Sequence, residues 1–321
     1  MTTEIHTAAG PIRPEKLGRT LVHEHVFVLG EEFRNNYQAD WDEEKKVGEA
    51  VRDLRELKSL GIDTIFDPTV LGLGRYIPRI QRIAEQIDLN IVVATGLYTF
   101  NDVPHQFHYQ GPGLMFDRPE LLTELFIKDI TSGIADTGVR AAFLKCAIDE
   151  PGLTPGVERT MRAVAQASVE TGAPITVHTH AASQSGLVAQ AVLEQEGVDL
   201  SKVIIGHSGD SDDLDYLTRL AERGSLLGMD RFGLDPFLPL ARRLDVIAEL
   251  VRRGFVESIV ISHDASCFID FCDPEAKRVM LPKWNYRHIS EDVLPALRER
   301  GLSEQDIDTI LVANPLRYLT G

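Results

Sequence analysis

The chain has 321 residues, of which 43% are hydrophobic and 26% are charged, as is usual for a globular protein. Its 33 basic and 49 acidic residues leave a net charge of −16, which argues against nucleic acid and anionic membranes as partners, because both favour basic patches. No apolar run approaches the ~20 residues of a membrane span, the N-terminus lacks the pattern of a signal peptide, and three scattered cysteines suit a reducing compartment, so we expect a cytoplasmic protein.

The first strand-like run is "TLVHEHVFVLG", which contains two histidines. Side chains alternate between the two faces of a strand, so Leu21, His23, His25 and Phe27 are predicted to share one face. Two adjacent imidazoles are costly in a core unless each nitrogen atom has a partner. The pair is therefore either a pair of metal ligands or a pair of core histidines whose nitrogens are satisfied from within the protein.

After this run the chain repeats one unit, which is a helix, a turn that contains glycine, and a short strand. In residues 43–67, helical apolar spacing is followed by Gly61 and then by the strand-like segment "IDTIFD". A helical region at 290–319 follows the last unit. Strands are predicted at 21–28, 62–67, 91–95, 140–147, 174–178, 202–206, 225–229 and 258–262.

Eight alternating units predict an α/β protein with a (β/α)8 TIM barrel. We expect one domain over residues 1–321, with 1–18 as an N-terminal extension and 265–288 as a long loop after strand 8. A doubly wound open sheet is the alternative, although no Gly-x-Gly-x-x-Gly follows any strand.

Polar side chains stand at the predicted carboxyl ends of several strands, where barrels of this kind place functional residues. Strand 4 carries Lys145, strand 5 ends in His178, strand 6 ends in His207, and strand 8 is followed by Asp264. Each has an alternative: Lys145 as a lysine that reaches solvent, His207 as a loop residue, and Asp264 as a helix N-cap. His178 has a rival in His180, which lies two residues further on and on the same face of the strand. Their coincidence at one end of the barrel, together with the two histidines of strand 1, instead favours a metal site.

These residues also carry a resemblance. "HEH" on strand 1, a lysine on strand 4, "VHTH" on strand 5, "IGHSGD" on strand 6 and "ISHDA" on strand 8 resemble the amidohydrolase superfamily, and within it the phosphotriesterase family and its phosphotriesterase-like lactonases. "GRTLVHEH" and "NPLRYL" extend the match over essentially the whole chain. Deaminases of the superfamily usually lack the strand-4 lysine, which is present here.

The resemblance implies two divalent metal ions, which could be zinc, cobalt, iron or manganese. It places His23, His25 and Asp264 on the buried ion and His178 and His207 on the exposed ion, with Lys145 as an N6-carboxylysine and a hydroxide bridging the two. Asp264 would take the proton of this hydroxide during attack. It also implies a homodimer.

Two further residues connect the chain to the lactonase subgroup. Tyr98 follows strand 3 and Arg231 follows strand 7, and both match residues that line the substrate site in these relatives. The ordinary explanations are an aromatic residue on the rim for Tyr98 and a surface salt bridge for Arg231.

The apolar content of the loop after strand 8 suits an acyl chain, and the substrate channel is predicted to be lined by Phe27, Phe268, Phe271 and Trp284. Phe271 stands where relatives often have tryptophan, which leaves the channel width open.

The sequence thus predicts a metal-dependent hydrolase that opens lactones, most simply N-acyl-homoserine lactones in quorum quenching, with promiscuous phosphotriesterase activity. A dedicated organophosphate phosphotriesterase is the alternative enzyme. A barrel that has lost activity and only binds a ligand is a third possibility, which the intact set of ligand residues disfavours.

Overall fold

The computed structural model describes residues 4–321, in which eight parallel strands form one sheet that curls into a nearly closed barrel. The prediction of a (β/α)8 barrel is confirmed. The strands of the chain are β1 (Ile5–Thr7), β2 (Gly10–Ile12), β3 (Thr20–Leu21), β4 (His25–Val28), β5 (Thr64–Asp67), β6 (Asn90–Gly96), β7 (Phe143–Ile148), β8 (Ile175–Thr179), β9 (Val203–Gly206), β10 (Leu226–Met229), β11 (Ile259–Ile261) and β12 (Ser266–Ile269). The barrel sheet has the order β3-β5-β6-β7-β8-β9-β10-β11.

Helices follow the barrel strands on the outside, and their apolar stripes pack on the sheet. In the second helix the carboxylate of Asp42 caps the first turn by accepting a hydrogen bond from Lys45 N, and the face that contains Val47, Leu54 and Leu57 is buried. The helices are α1 (Glu31–Tyr37), α2 (Glu43–Ser59), α3 (Ile77–Ala84), α4 (Leu121–Thr131), α5 (Pro155–Thr171), α6 (Ser185–Gln195), α7 (Leu214–Glu222), α8 (Leu240–Arg252), α9 (Pro274–Met280), α10 (Leu294–Glu299), α11 (Glu304–Asp308) and α12 (Asn314–Thr320).

The interior of the barrel is filled at its amino-terminal end. Phe66, Phe143 and Ile204 belong to one buried cluster inside the barrel, together with Tyr318 from α12. The Tyr318 hydroxyl lies 2.9 Å from Thr176 Oγ1, which satisfies both buried groups. The barrel is therefore a packed core at this end, and its functional residues lie at the opposite end.

The first and last barrel strands meet at a seam that is closed by loops rather than by a strand ladder. Asp264 N donates to His23 O at 3.0 Å, and His23 N donates to Ser262 Oγ at 2.9 Å. Beyond the seam, β4 and β12 continue as a short parallel pair above the barrel rim. The interruption of both strands places His23 and Asp264 beside each other.

Two predicted segments differ from the structure. Residues 21–28 form two short strands, because the chain leaves the regular ladder at 22–24 to cross the seam. The expected irregular loop at 265–288 contains β12 and α9. Asp273 caps α9 and Pro274 occupies its first turn, which is a local helix-start signal inside this segment.

Candidate metal centre and active site

A cavity of about 360 Å³ opens at the carboxyl ends of the strands, and we call it the reaction cavity. Every predicted metal ligand except His207 lines it, and His207 lies directly beneath, with its Nε2 2.8 Å from His178 Nδ1. The cavity is also lined by four other predicted site residues, which are Tyr98, Arg231, Phe271 and Trp284. The structure thus brings together nearly all of the predicted site residues.

The imidazoles at the floor of this cavity each have one nitrogen that is held by an oxygen atom. The Nδ1 atoms of His23 and His207 lie 2.9 and 3.0 Å from the two carboxylate oxygens of Asp230, and His25 Nδ1 lies 2.7 Å from Thr69 Oγ1. This arrangement leaves each Nε2 directed into the site, where His25 Nε2 is 3.3 Å from Asp264 Oδ1. Metal-ligating histidines are oriented in this way in proteins.

His178 is oriented by another carboxylate. Its Nε2 lies 2.6 Å from Asp149 Oδ2, which directs Nδ1 toward His207. Burial lowers the pKa of His178 to about 4, although the hydrogen bond to Asp149 acts in the opposite direction. The ring is therefore neutral at pH 7, as a metal ligand must be. The competing candidate, His180, does not line the cavity and bonds to Ser183 Oγ instead.

Lys145 is only 1% exposed and does not reach solvent. Its Nζ lies 3.3 Å from His23 Nε2, and burial lowers the pKa of the ammonium to about 8. Burial makes this lysine unfavourable as a cation, although Asp264 and Asp230 act in the opposite direction. Conversion of the amine to a carbamate would replace this cation with an anionic ligand.

Asp264 adopts a positive φ of 56°, so its side chain leaves a turn rather than a strand or a helix cap. Glu24, fully buried on the opposite side of strand 1, accepts hydrogen bonds from His263 N at 2.7 Å and Ala265 N at 3.0 Å. From the other side Trp284 Nε1 lies 3.0 Å from the carbonyl oxygens of both His263 and Asp264. The turn that carries Asp264 is therefore fixed on both sides.

The guanidinium of Arg231 lies between the carboxylates of Asp210 and Asp264, whose side chains are 8% and 15% exposed. Its Nε donates to Asp264 Oδ2 at 3.1 Å and its Nη1 donates to Asp210 Oδ2 at 3.0 Å. Burial disfavours these charges, but His23, His25 and Arg231 hold the pKa of the Asp264 carboxyl well below its usual range. Asp264 is consequently a carboxylate, and Arg231 is not a surface ion pair.

Tyr98 stands on the other side of the cavity against His178. The two rings meet edge to face with centroids 5.1 Å apart, and the Tyr98 hydroxyl lies 3.5 Å from Asp149 Oδ2. Burial raises the pKa of Tyr98 to about 12, so the phenol keeps its proton at neutral pH. Its hydroxyl is therefore a hydrogen-bond donor, which in this structure donates to Asp149, and Tyr98 lines the cavity.

The donor set fits divalent metal ions. Ligand atoms of His23, His207 and Asp264 lie within 4.8 Å of one another, which is close enough to bind one ion. Imidazole and carboxylate ligands suit zinc, cobalt, iron and manganese. Each member of this group contacts one further potential ligand. Asp264 contacts His25, His207 contacts His178, and His23 contacts Lys145.

Comparisons with known proteins agree with this geometry. The model of the phosphotriesterase family matches residues 3–319. The chain belongs to the phosphotriesterase family. A protein of Mycobacterium tuberculosis named "Phosphotriesterase homology protein" is 55% identical over 315 residues, which cover 98% of this chain and 97% of the relative. An "Aryldialkylphosphatase" of Saccharolobus solfataricus is 38% identical over 311 residues, or 96% of this chain and 97% of the relative.

A solved structure gives the same result for the fold. The "Structure of the phosphotriesterase from Mycobacterium tuberculosis" superposes with a TM-score of 0.97 and 54% identity, and covers 99% of this chain and 98% of that one. The chain is accordingly a hydrolase of the phosphotriesterase family that acts on small molecules. Among the described residues, no helix is both long and apolar enough to cross a membrane.

Two predicted channel residues lie outside the reaction cavity, which corrects the prediction for Phe27 and Phe268. They are paired residues of β4 and β12, and both rings pack against Trp41 at 6.4 and 5.0 Å. Their neighbours Val28 and Ile269 line the cavity instead. The prediction for Phe268 rested on the apolar content of the loop, whereas the pairing of β4 with β12 packs both rings on Trp41.

Sequence reasoning also missed Asp230 and Asp149, which orient three of the four histidines of this phosphotriesterase-family site. Both follow directly at the carboxyl end of a strand, Asp230 after β10 and Asp149 after β7. That position is the signal that identified Asp264, and it could have found them. Gly228 makes room for Asp230, because a Cβ there would lie 2.6 Å from Asp230 Oδ2.

Proposed function

We propose that this phosphotriesterase-family hydrolase is a metal-dependent lactonase that opens N-acyl-homoserine lactones in quorum quenching, with promiscuous phosphotriesterase activity. One observation carries the proposal: a floor of four histidines, Lys145 and Asp264 lies beneath a largely apolar wall. Phe271, Trp284, Leu281 and Ile269 belong to that wall. A neutral ester with an apolar tail would fit both parts, since its carbonyl would meet the polar floor and its tail would bury apolar surface.

In this proposal His23, His25 and Asp264 would hold one divalent ion, His178 and His207 would hold the second, and Lys145 would serve as a further ligand in the form of N6-carboxylysine. Such ions lower the pKa of water toward neutrality and polarise the oxygen atom of an ester or phosphoryl group. The lysine would need carbon dioxide and its neutral form, which its burial favours.

The chain's own residues then orient the substrate and move the proton. Arg231 holds Asp264 Oδ2, so Oδ1 remains directed at the imidazoles and accepts the proton that attacking water gives up. Tyr98, protonated at neutral pH, donates a hydrogen bond to an oxygen of the substrate. The reaction adds one water to the lactone, breaks the bond between acyl carbon and ring oxygen, and yields a hydroxy carboxylate and a proton.

A dedicated phosphotriesterase is the second candidate, which the relative named aryldialkylphosphatase favours. Both reactions develop negative charge on an oxygen in the transition state, so one metal centre can serve both. A homodimer and a cytoplasmic location belong to our proposal, and three free cysteines support the latter.

The proposal is tested by kcat/KM of the metal-loaded protein for a long-chain N-acyl-homoserine lactone and an aryl dialkyl phosphate. We expect a preference for the lactone of about a hundredfold, which corresponds to about 2.7 kcal/mol of differential transition-state binding. The reverse preference would assign the chain to phosphotriester hydrolysis. A fully folded protein that binds no metal and turns over neither compound would reject both activities.

A further inference from the structure

A second cavity of about 370 Å³ lies beside the reaction cavity, and we call it the side cavity. It is formed between α2 and the segment that contains α9. Ser266, Leu281 and Trp284 line both cavities and therefore form the partition between them. Nothing in the chemistry of the metal centre requires this second space.

The charged groups around the side cavity are paired, with one exception. Glu56 Oε1 lies 2.9 Å from Arg287 Nη1, and Asp53 Oδ1 lies 3.1 Å from Arg52 Nη2. Lys277 is half-buried in the wall, with its Nζ 4.2 Å from the centroid of the Trp284 ring. Within residues 4–321, no carboxylate forms a salt bridge with this ammonium, and burial lowers its pKa.

The occupant that fits this space is an anion with an apolar body. An unpaired, partly desolvated ammonium favours an anionic group, and the rings and side chains of Trp284, Leu57 and Pro274 offer apolar contact. The net charge of −16 disfavours anions over the surface as a whole, so an anion needs a local cation in order to bind.

Hydrolysis in the reaction cavity generates such an anion from a neutral substrate. A lactone and water give a hydroxy carboxylate and a proton, and a phosphotriester and water give a diester anion, an alcohol and a proton. We propose that the side cavity binds this anionic product through Lys277. The assignment rests on the proposed function, because that function supplies the anion.

Occupation of the side cavity would affect the reaction cavity through Trp284. The same indole ring that contacts Lys277 donates its N–H to the carbonyl oxygens of His263 and Asp264. A bound anion would draw the Lys277 ammonium away from the ring face and disturb the partition beside the Asp264 turn. Product should therefore inhibit with a mixed pattern rather than a purely competitive one.

Binding is measured with metal-loaded protein in a Trp41→Phe background, which leaves Trp284 as the sole tryptophan of a chain that has two. The probes are a ring-opened N-acyl-homoserine, its neutral methyl amide and inorganic phosphate. We expect the carboxylate to change Trp284 fluorescence and the Kd to weaken about tenfold in Lys277→Gln but within about threefold in Lys277→Arg, because the charge is retained. Lys283→Gln is the control, since Lys283 pairs with Asp292 at 2.7 Å and does not line the cavity.

Equal affinity in Lys277→Gln and its parent, with purely competitive product inhibition in both, would place the anion in the reaction cavity alone and overturn the proposal. Phosphate that binds as tightly as the carboxylate through Lys277 would also overturn the assignment to product. The titration needs no turnover. Failure of the proposed function would appear as absent lactone and phosphotriester hydrolysis, while the dependence of carboxylate binding on Lys277 is still read directly.

Discussion

At the floor of the reaction cavity, His23 and His207 are almost fully buried and each is fixed by an oxygen of Asp230, whereas Phe271 in the wall is 74% exposed. The floor groups have their orientation specified by several partners, because a metal centre tolerates little displacement of its ligands. The wall presents apolar surface from the segment after strand 8, where packing partners are fewer. From this difference we propose that the reaction type depends on the floor and that the choice of substrate depends on the wall.

The largest expected effect comes from the floor, when Lys145 can no longer form the carbamate that we propose. Lys145→Arg keeps a long cationic side chain in place but cannot form a carbamate, so we expect loss of metal to well below two ions per chain. A fall in kcat/KM of about a thousandfold or more should accompany it, since a metal centre supplies several kcal/mol of transition-state stabilisation. Elemental analysis and kinetics after bicarbonate and metal reconstitution measure both effects. Normal metal content in Lys145→Arg would contradict the carbamate.

The second change keeps every proposed ligand and removes the group that orients two of them. Asp230 accepts from both His23 Nδ1 and His207 Nδ1, one with each carboxylate oxygen. In Asp230→Asn only one oxygen remains as an acceptor, and the amide NH₂ places a donor against the Nδ1–H of the other histidine. We expect metal affinity and kcat/KM to fall by about 10- to 100-fold, as for other residues that orient metal-ligating histidines. Metal titration against a chelator measures the effect. The matched control is Asp212→Asn, because Asp212 pairs with Arg242 on the surface, and equal losses in the two variants would refute the orienting role of Asp230.

The third change tests the ion pairs that Asp210 forms with Arg231 and Arg243 behind the floor of the reaction cavity. Asp210 accepts from Arg231 Nη1 at 3.0 Å and from Arg243 Nη2 at 2.7 Å, and Arg243 also donates to the carbonyl oxygens of Leu234 and Leu238. Asp210→Asn leaves the buried guanidinium of Arg243 without its carboxylate partner and leaves Arg231 with Asp264 alone, so the free energy of unfolding should fall by about 3 kcal/mol.

Denaturant unfolding of the metal-loaded protein measures this loss. Asp212→Asn again serves as the control, for which we expect a change of less than about 0.5 kcal/mol because its ion pair is exposed. A similarly small change in Asp210→Asn would mean that the chain of ion pairs from Asp264 to Arg243 contributes little to stability.

How far the sequence predicts this molecule depends on whether a feature is local. Helical spacing and β-branched runs predicted seven of the eight barrel strands to within a few residues, the first strand being the exception. The resemblance of "HEH" and "IGHSGD" indicated where the proposed ligands stand. The positions of Phe27 and Phe268 were predicted wrongly, because they are set by the contact between β4 and β12, in which Phe27 lies opposite Phe268 and both rings pack on Trp41. That contact joins chain segments 241 residues apart, which no local pattern contains.

The oriented histidines illustrate the same limit at the site. Asp230 was overlooked because strand 7 offered no histidine or cysteine, and a carboxylate after a strand has several ordinary roles. Only the fold shows that its two oxygens reach imidazoles from strands 1 and 6. The resemblance predicted residues that touch the reacting groups, and the structure adds the residues that position them.

The smallest expected effect comes from the wall. Phe271→Ala removes an exposed ring from the cavity lining and touches no proposed ligand, so metal content and kcat should stay unchanged. We expect KM to rise about three- to tenfold for a long-chain lactone, in line with about 1 kcal/mol of lost apolar contact, and hardly at all for a short-chain lactone. Met280→Ala is the control, because Met280 is as exposed as Phe271 but does not line the cavity. A fall in kcat for both chain lengths would mean that the wall also positions the reacting carbonyl, and the division between floor and wall would then fail.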